Sequence, residues 1–138
     1  MLANGAKLEY KEKDSVEETY TKLEGLKEIP EMGTDPEKVD NTTLDDTIKQ
    51  YEMGIGDAGD VTYKFKYDNT KATSPYRLML AAQKAGKVLS FKETLKDGTV
   101  TLFDGQVSVK RTGGGVNGVI EFNLNIALQS GLSIEDPA

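Results

Sequence analysis

From Val119 to Gln129 apolar side chains fall on every second position: Ile120, Phe122, Leu124, Ile126 and Leu128 alternate with Glu121, Asn123, Asn125, Ala127 and Gln129. Successive strand residues point to opposite faces, so this run predicts a strand with one apolar and one mostly polar face. Two-faced strands belong to antiparallel sheets, packed on one side and wet on the other, whereas parallel strands read as continuous apolar runs. The same rule picks out a second strand, in which Val61, Tyr63, Phe65 and Tyr67 alternate with Thr62, Lys64, Lys66 and Asp68.

Turn-forming residues set the remaining elements. Ala6 to Tyr10 and Tyr20 to Ile29 read as short strands joined through a charged turn at Lys13-Asp14-Ser15. Pro30 to Asp46 sets Pro30, Gly33 and Pro36 among Asp, Asn, Thr and Glu, which predicts one long loop with a brief strand at Lys38-Val39-Asp40. Loops beyond about 12–15 residues are uncommon in compact domains unless they serve a function, so this one is a candidate contact element. Thr47 to Met53 predicts a further strand and Gly54 to Gly59 a flexible connection. Ser74 as N-cap, Pro75 in the first helical position, Tyr76, Met79 and Leu80 on one face and Gly86 as a left-handed cap predict a helix over 74–85.

Leu89, Phe91 and Leu95 lead into Lys96-Asp97-Gly98-Thr99, where Asp-Gly predicts a two-residue hairpin turn. In the returning strand Val100 and Leu102 lie on one parity and Phe103, Val107 and Val109 on the other, which calls for a bulge near Asp104-Gly105. Thr112 to Gly118 predicts a mobile turn, and the residues after Gly131 a frayed polar tail. Together these describe an α+β, mainly β chain. Its expected form is an antiparallel sandwich or barrel of about seven or eight strands, with one flanking helix and a long mid-chain loop. One domain over residues 1–138, with a flexible arm over 1–6, accommodates all of it.

Composition narrows the chemistry. The chain has no cysteine and no histidine. That removes disulfides, thiolate nucleophiles, imidazole bases and the commonest zinc ligands together. The start, Met1-Leu2-Ala3-Asn4-Gly5, lacks the basic and apolar regions of a signal peptide, and no stretch approaches the roughly 20 apolar residues that span a bilayer. A soluble protein made in a cytoplasm is expected. The formal charge of −6 is uneven: residues 1–60 carry 16 acidic and 7 basic side chains, residues 61–138 carry 7 acidic and 10 basic. Faces of opposite sign suit head-to-tail self-association. An acidic protein is a poor nucleic-acid binder, because phosphate affinity comes from lysine and arginine.

Candidate sites each have an ordinary structural explanation. Asp45-Asp46 and the Asp57/Asp60 pair offer carboxylates to a divalent cation, but match no twelve-residue calcium loop, and turn-forming Asp accounts for them. Gly113-Gly114-Gly115 lacks the lysine and the strand-to-helix setting of a phosphate cradle, so it reads as a hairpin turn. No metal, cofactor or catalytic residue is expected. Tyr63, Phe65 and Tyr67 can stack bases or sugars, or equally form an inward core face.

The order of these elements resembles a known family. The stretches TKLEGLKEIPEMGTDPEKVDNTTLDDTIKQYEMGI, DVTYKFKYDN followed by SPYRLMLAA, and GTVTLFDGQVSVKRTGGGVNGVIEFNLNIAL look like the major tail tube protein of long-tailed bacteriophages. The fold is shared with the tubes of contractile tails, phage-like bacteriocins and type VI secretion. The resemblance implies a non-enzymatic structural subunit, self-assembling into hexameric rings stacked as the conduit for DNA ejection. It also implies a place in the virion tail after synthesis in the host cytoplasm. Implied partners are further copies of the chain, the tape-measure and tail terminator proteins and baseplate or tail-tip proteins. DNA would pass through the lumen without specific binding, and no membrane is involved.

Under that resemblance, intersubunit contacts are expected from Glu31, Met32, Asp35, Glu37, Asp40, Asp45 and Asp46 of the long loop, and from Leu2 and Lys7 of the N-terminal arm. Glu121, Asn123 and Asn125 are the expected lumen-facing residues, with the opposite sheet as the alternative inner wall. A lumen of acidic and amide side chains would hold DNA weakly. Two other classes of function stand beside this one. A monomeric barrel would bind a small apolar or aromatic ligand through Tyr63, Phe65 and Tyr67. A glycosidase would need a cleft with two carboxylates about 5–10 Å apart.

Overall fold

In the computed structural model, which describes residues 1–13, 19–33, 38–40, 42–44, 48, 51–53 and 59–137, the two alternating runs become neighbours in one curled antiparallel sheet. The strands are β1 (Lys7–Glu12), β2 (Thr21–Lys22), β3 (Leu26–Glu28), β4 (Lys38–Asp40), β5 (Tyr51–Met53), β6 (Asp60–Lys66), β7 (Val88–Thr94), β8 (Val100–Thr112), β9 (Glu121–Leu128) and β10 (Ser133–Glu135). The helix α1 spans Pro75–Ala85. Eight strands run β2-β1-β7-β8-β9-β6-β3 with β10 also on β8, and β4 pairs with β5 apart from them. The expected mainly-β class with a single helix is what is found among the described residues.

The long strand β8 organises the sheet. Its first half, to Gln106, pairs with β7, and its second half, from Gly105, pairs with β9. On the β9 side the pairing is carried past Leu128 by Gln129 N–H donating to Asp104 O at 2.8 Å, then by β10 against Val100 to Leu102. Inward-facing Thr101, Phe103, Gly105 and Val107 keep one parity with continuous register, so the expected bulge at Asp104-Gly105 is absent. Glycine is needed there for another reason: a Cβ at position 105 would lie 2.4 Å from Ile126 Cγ2 and 2.7 Å from Ala127 O. Close approach, rather than an extra residue, lets the two halves of the sheet fold over each other.

Three further expectations are corrected. Residues 20–29 are two strands bound to different neighbours, because the chain turns at Gly25 (φ 85°): β2 joins β1 and β3 joins β6. The turn after β7 is a three-residue loop closed by Leu95 N–H to Thr99 O at 2.9 Å, with only Gly98 (φ 97°) left-handed, the type I turn plus bulge arrangement. The predicted frayed tail carries β10. Of the predicted strand over 47–53 the residues 47, 49 and 50, of the predicted long loop the residues 34–37, 41, 45 and 46, and of the predicted connection the residues 54–58 lie outside the described residues, as does part of the charged turn after Lys13.

The core lies between the folded halves. Tyr63, Phe65, Phe91, Phe122, Leu124, Ile126, Leu8 and Met79 are fully buried. Phe65 stacks on Phe122 at 5.3 Å and Phe91 on Phe103 at 5.6 Å, each pair directly opposite across its ladder. Such rings contribute about 1.5–3 kcal/mol apiece through burial. The expected caps hold the helix: Ser74 is extended, Pro75 begins the first turn and Gly86 (φ 66°) ends it. The Ser74 hydroxyl, however, accepts from Lys71 N–H at 3.1 Å instead of capping a helix amide. Tyr76 meets Phe122 edge-on at 5.4 Å, and Met79, Leu78 and Ala82 pack on the core, so α1 closes one side of the sheet.

Candidate assembly surface

The face of β8, β9 and β6 opposite the core is polar. Glu121, Asn123 and Asn125 lie on it, and the register sets Asn123 between Lys64 and Lys110, and Asn125 between Thr62 and Ser108. Asn125 donates to Thr62 Oγ1 at 3.2 Å, and Lys27 pairs with Glu121 at 3.1 Å. The three expected lumen residues therefore share one surface. Acidic Glu121 and the amides Asn123 and Asn125 are flanked there by Lys64 and Lys110, and Lys64 is itself 3.8 Å from Glu28.

Both sides of this polar sheet are unfinished. Beyond Gln106 β7 has ended, and among the described residues β8 is paired by β9 alone from Val107 to Thr112. Val109 N–H points away from β9 and donates to Gln83 Oε1 of α1 at 2.9 Å. By the two-residue period of a strand, Val107 and Arg111 present backbone groups to that same open side. At the far edge β3 meets β6 at Lys64 and Phe65, with Lys66 N–H donating to Gly25 O at 2.8 Å, so among the described residues Asp60 to Tyr63 pair with β9 alone. Half-open edges with a buried inner face are the sites at which sheets extend into another chain. The open edge of β8 was not foreseen, since it follows from the difference in length between β7 and β8.

Of the expected contact residues, Leu2 is 77% exposed, Lys7 and Glu31 are exposed, and Met32 packs against the core. Asp40 is on β4. Asp35, Glu37, Asp45 and Asp46 lie outside the described residues, as does Asp57. The aromatic strand is no ligand platform: Tyr63 and Phe65 are fully buried and Tyr67 is held edge-on to Tyr76 at 4.9 Å. One open cleft of about 460 Å³ is bounded by Glu24, Gly25, Lys66, Tyr67, Asp68 and Pro75, and a smaller one of about 200 Å³ beside α1 is lined by Tyr10, Leu78, Ala82 and Leu89.

One buried polar pair spans the core. The Tyr63 hydroxyl of β6 donates to the Glu93 carboxylate of β7, which is 3% exposed. Burial, together with the charge and hydrogen bond of Glu93, holds the tyrosine well above its ordinary range. Burial also raises Glu93, against the lowering effect of the tyrosine's hydrogen bond. A carboxylate sealed beneath the sheet has no access to a substrate.

The same fold is found in a chain of the 6-fold symmetrised anti-feeding prophage baseplate, with a TM-score of 0.72 at 10% identity over 95% of this chain and 92% of that one. It also occurs in the C6 tail of an empty gene transfer agent particle, with a TM-score of 0.66 at 17% identity over 94% of each chain. The virion of the native gene transfer agent gives 0.66 at 17% identity over 93% and 95%. No curated protein matches the chain. The family model described as phage tail tube, TTP, lambda-like, matches residues 1–103. The chain belongs to the lambda-like phage tail tube family. As a member it is a structural subunit of the tail tube of a phage-like particle. No helix among the described residues is long and apolar enough to cross a membrane.

Proposed function

We propose that this tail tube protein joins edge to edge into hexameric rings, that the rings stack into the conduit for DNA, and that the polar β8-β9-β6 face is the inner wall. The observation carrying this reading is that, among the described residues, the sheet is open on both sides, with β8 paired to one strand from Val107 to Thr112 and β6 to one strand from Asp60 to Tyr63. Unlike edges meeting head to tail close a ring when the rotation closes, and closure removes the aggregation hazard of a free edge. Six-fold symmetry in the similar baseplate and tail particles supports the ring number.

Glu121, Asn123 and Asn125 then face the lumen, where ion pairing of Lys27 and Lys64 limits the positive charge offered to DNA. Leu2, Lys7, Glu31, Met32, Asp35, Glu37, Asp40, Asp45 and Asp46 serve contacts between subunits. The subunit has no catalytic role. The tape-measure, terminator and baseplate or tail-tip proteins are its partners at the ends and within the bore.

The test is Arg111→Pro. Proline at an edge removes only the outward N–H and is tolerated there. The variant should remain a folded monomer with β8-β9 intact, yet form no rings in negative-stain images at concentrations where the wild type does. Normal rings from the variant would refute edge joining through β8.

A further inference from the structure

Six asparagines stand in the chain, and two of them, Asn4 and Asn117, are followed by glycine. An asparagine side chain can bring its Cγ against the backbone nitrogen of the next residue, and a glycine there has no Cβ to hinder the approach. Asn-Gly is therefore the pair at which a chain can react with itself.

Asn4, Gly5, Asn117 and Gly118 are all exposed, in turns of one type. Ala6 N–H donates to Ala3 O at 3.1 Å around Asn4 and Gly5, and Gly118 N–H donates to Gly115 O at 2.8 Å around Val116 and Asn117. In each turn the third residue alone has positive φ, Gly5 at 97° and Asn117 at 63°, the type II pattern. The reacting pair sits at different places in the two. In the first turn the Gly5 nitrogen belongs to the central peptide and donates to no group among the described residues. In the second the Gly118 nitrogen closes the turn, and a Cβ on Gly118 would stand 3.0 Å from Gly115 O. Of the other asparagines, Asn69 precedes Thr70, whose N–H is held by Asp68, and Asn123 and Asn125 are fixed in β9 between β8 and β6.

We infer that Asn4-Gly5 is a site of self-modification, at which the chain converts a neutral amide into a carboxylate with water as the co-reactant. The Gly5 amide gives its proton to hydroxide, and its nitrogen attacks Asn4 Cγ. The N–Cγ bond forms as the Cγ–Nδ2 bond breaks, and Nδ2 leaves as ammonia with a proton from water. Water then opens the cyclic imide at either carbonyl, giving aspartate or, with the main chain rerouted through Cγ, isoaspartate. Either product adds one negative charge to a chain of formal charge −6. The isoaspartyl form also lengthens the backbone by a methylene just ahead of β1, where a Cβ on Gly5 would stand 3.5 Å from Lys96 Cβ. The reaction needs no second copy, so it stands apart from the tube reading.

Incubating the purified full-length chain in mildly alkaline buffer, with peptide mapping by mass spectrometry at intervals, tests this. Asn4 should exchange amide for acid first, as an aspartate and isoaspartate pair, and faster as pH rises. Asn117 should lag by about 2–12-fold, the factor that corresponds to a turn hydrogen bond of about 0.5–1.5 kcal/mol which its glycine nitrogen must give up. In denaturant, where both turns are lost, the two rates should draw together. Asn4→Gln, whose longer side chain closes a less favourable ring, should abolish the early acidic product. An Asn4 amide that stays unchanged, or one that reacts no faster than Asn117 in the folded chain, would overturn the inference. Rates that stay as far apart in denaturant would assign the difference to neighbouring residues and overturn it equally.

Discussion

Replacing Gly105 with alanine tests the packing that folds the sheet on itself. The new methyl would add about 0.8 kcal/mol of burial, and losing glycine's unfolded-state freedom another 0.5–1 kcal/mol or so. Against that, the Cβ would stand 2.4 Å from Ile126 Cγ2 and 2.7 Å from Ala127 O, neither the loose end of a flexible side chain. Ile126 is fully buried, and Ala127 lies within the β8-β9 ladder. Relief requires β9 to move away from β8, which costs overpacking strain of about 1–3 kcal/mol and weakens ladder hydrogen bonds of about 1 kcal/mol each. The net expectation is destabilisation by about 1–3 kcal/mol. With an unfolding entropy of about 2.1 cal/mol/K per residue, this lowers Tm by roughly 4–10 °C. Thermal denaturation followed by circular dichroism measures it, with Gly115→Ala, at a position open to solvent, as the control. A Gly105→Ala variant melting with the control or above wild type would refute the close-approach account.

Two further predictions concern the buried pair. Tyr63→Phe leaves the Glu93 carboxylate without its donor and should cost about 1.5–3 kcal/mol near neutral pH, shrinking in acid as Glu93 is protonated; urea titration at two pH values checks this. Because burial raises Glu93 in the folded state, its deprotonation removes stability as pH rises from the unfolded value through the folded one, and the deficit persists above it. Glu93→Gln accepts the same hydroxyl without charge, so it should flatten that slope and melt above wild type at about pH 8; a slope equal to wild type would refute the assignment.

The legible parts of the fold are those where one physical rule acts locally. Alternation along Val61 to Phe65 and Phe122 to Ile126 placed the core residues, and Ser74, Pro75 and Gly86 bounded the helix, because these signals need no distant partner. The misread places depend on what lies across the sheet. Val100 and Leu102 looked like core parity, but they lie on the face opposite buried Thr101 and Phe103, in a ladder completed by β10, whose three residues Ser133–Glu135 carry little strand signal of their own. Ile120 belongs to the alternating run yet is 43% exposed, because β9 begins one residue later. The candidate wall residues were recoverable as one face of β9. Their lysine neighbours were not, since pairing of Asn123 with Lys64 and Lys110 is a matter of register between distant segments.

In the proposed tube, a sheet that is open among the described residues is completed by other copies of the chain. Electron microscopy of the purified protein over a concentration series, with sedimentation velocity on the same samples, tests it most directly. Monomers should give way to six-fold rings and hollow stacked tubes with the β8-β9-β6 face inward. Six-fold rings with that face outward would contradict the wall assignment, and a monomer at every concentration would contradict completion of the sheet by self-assembly.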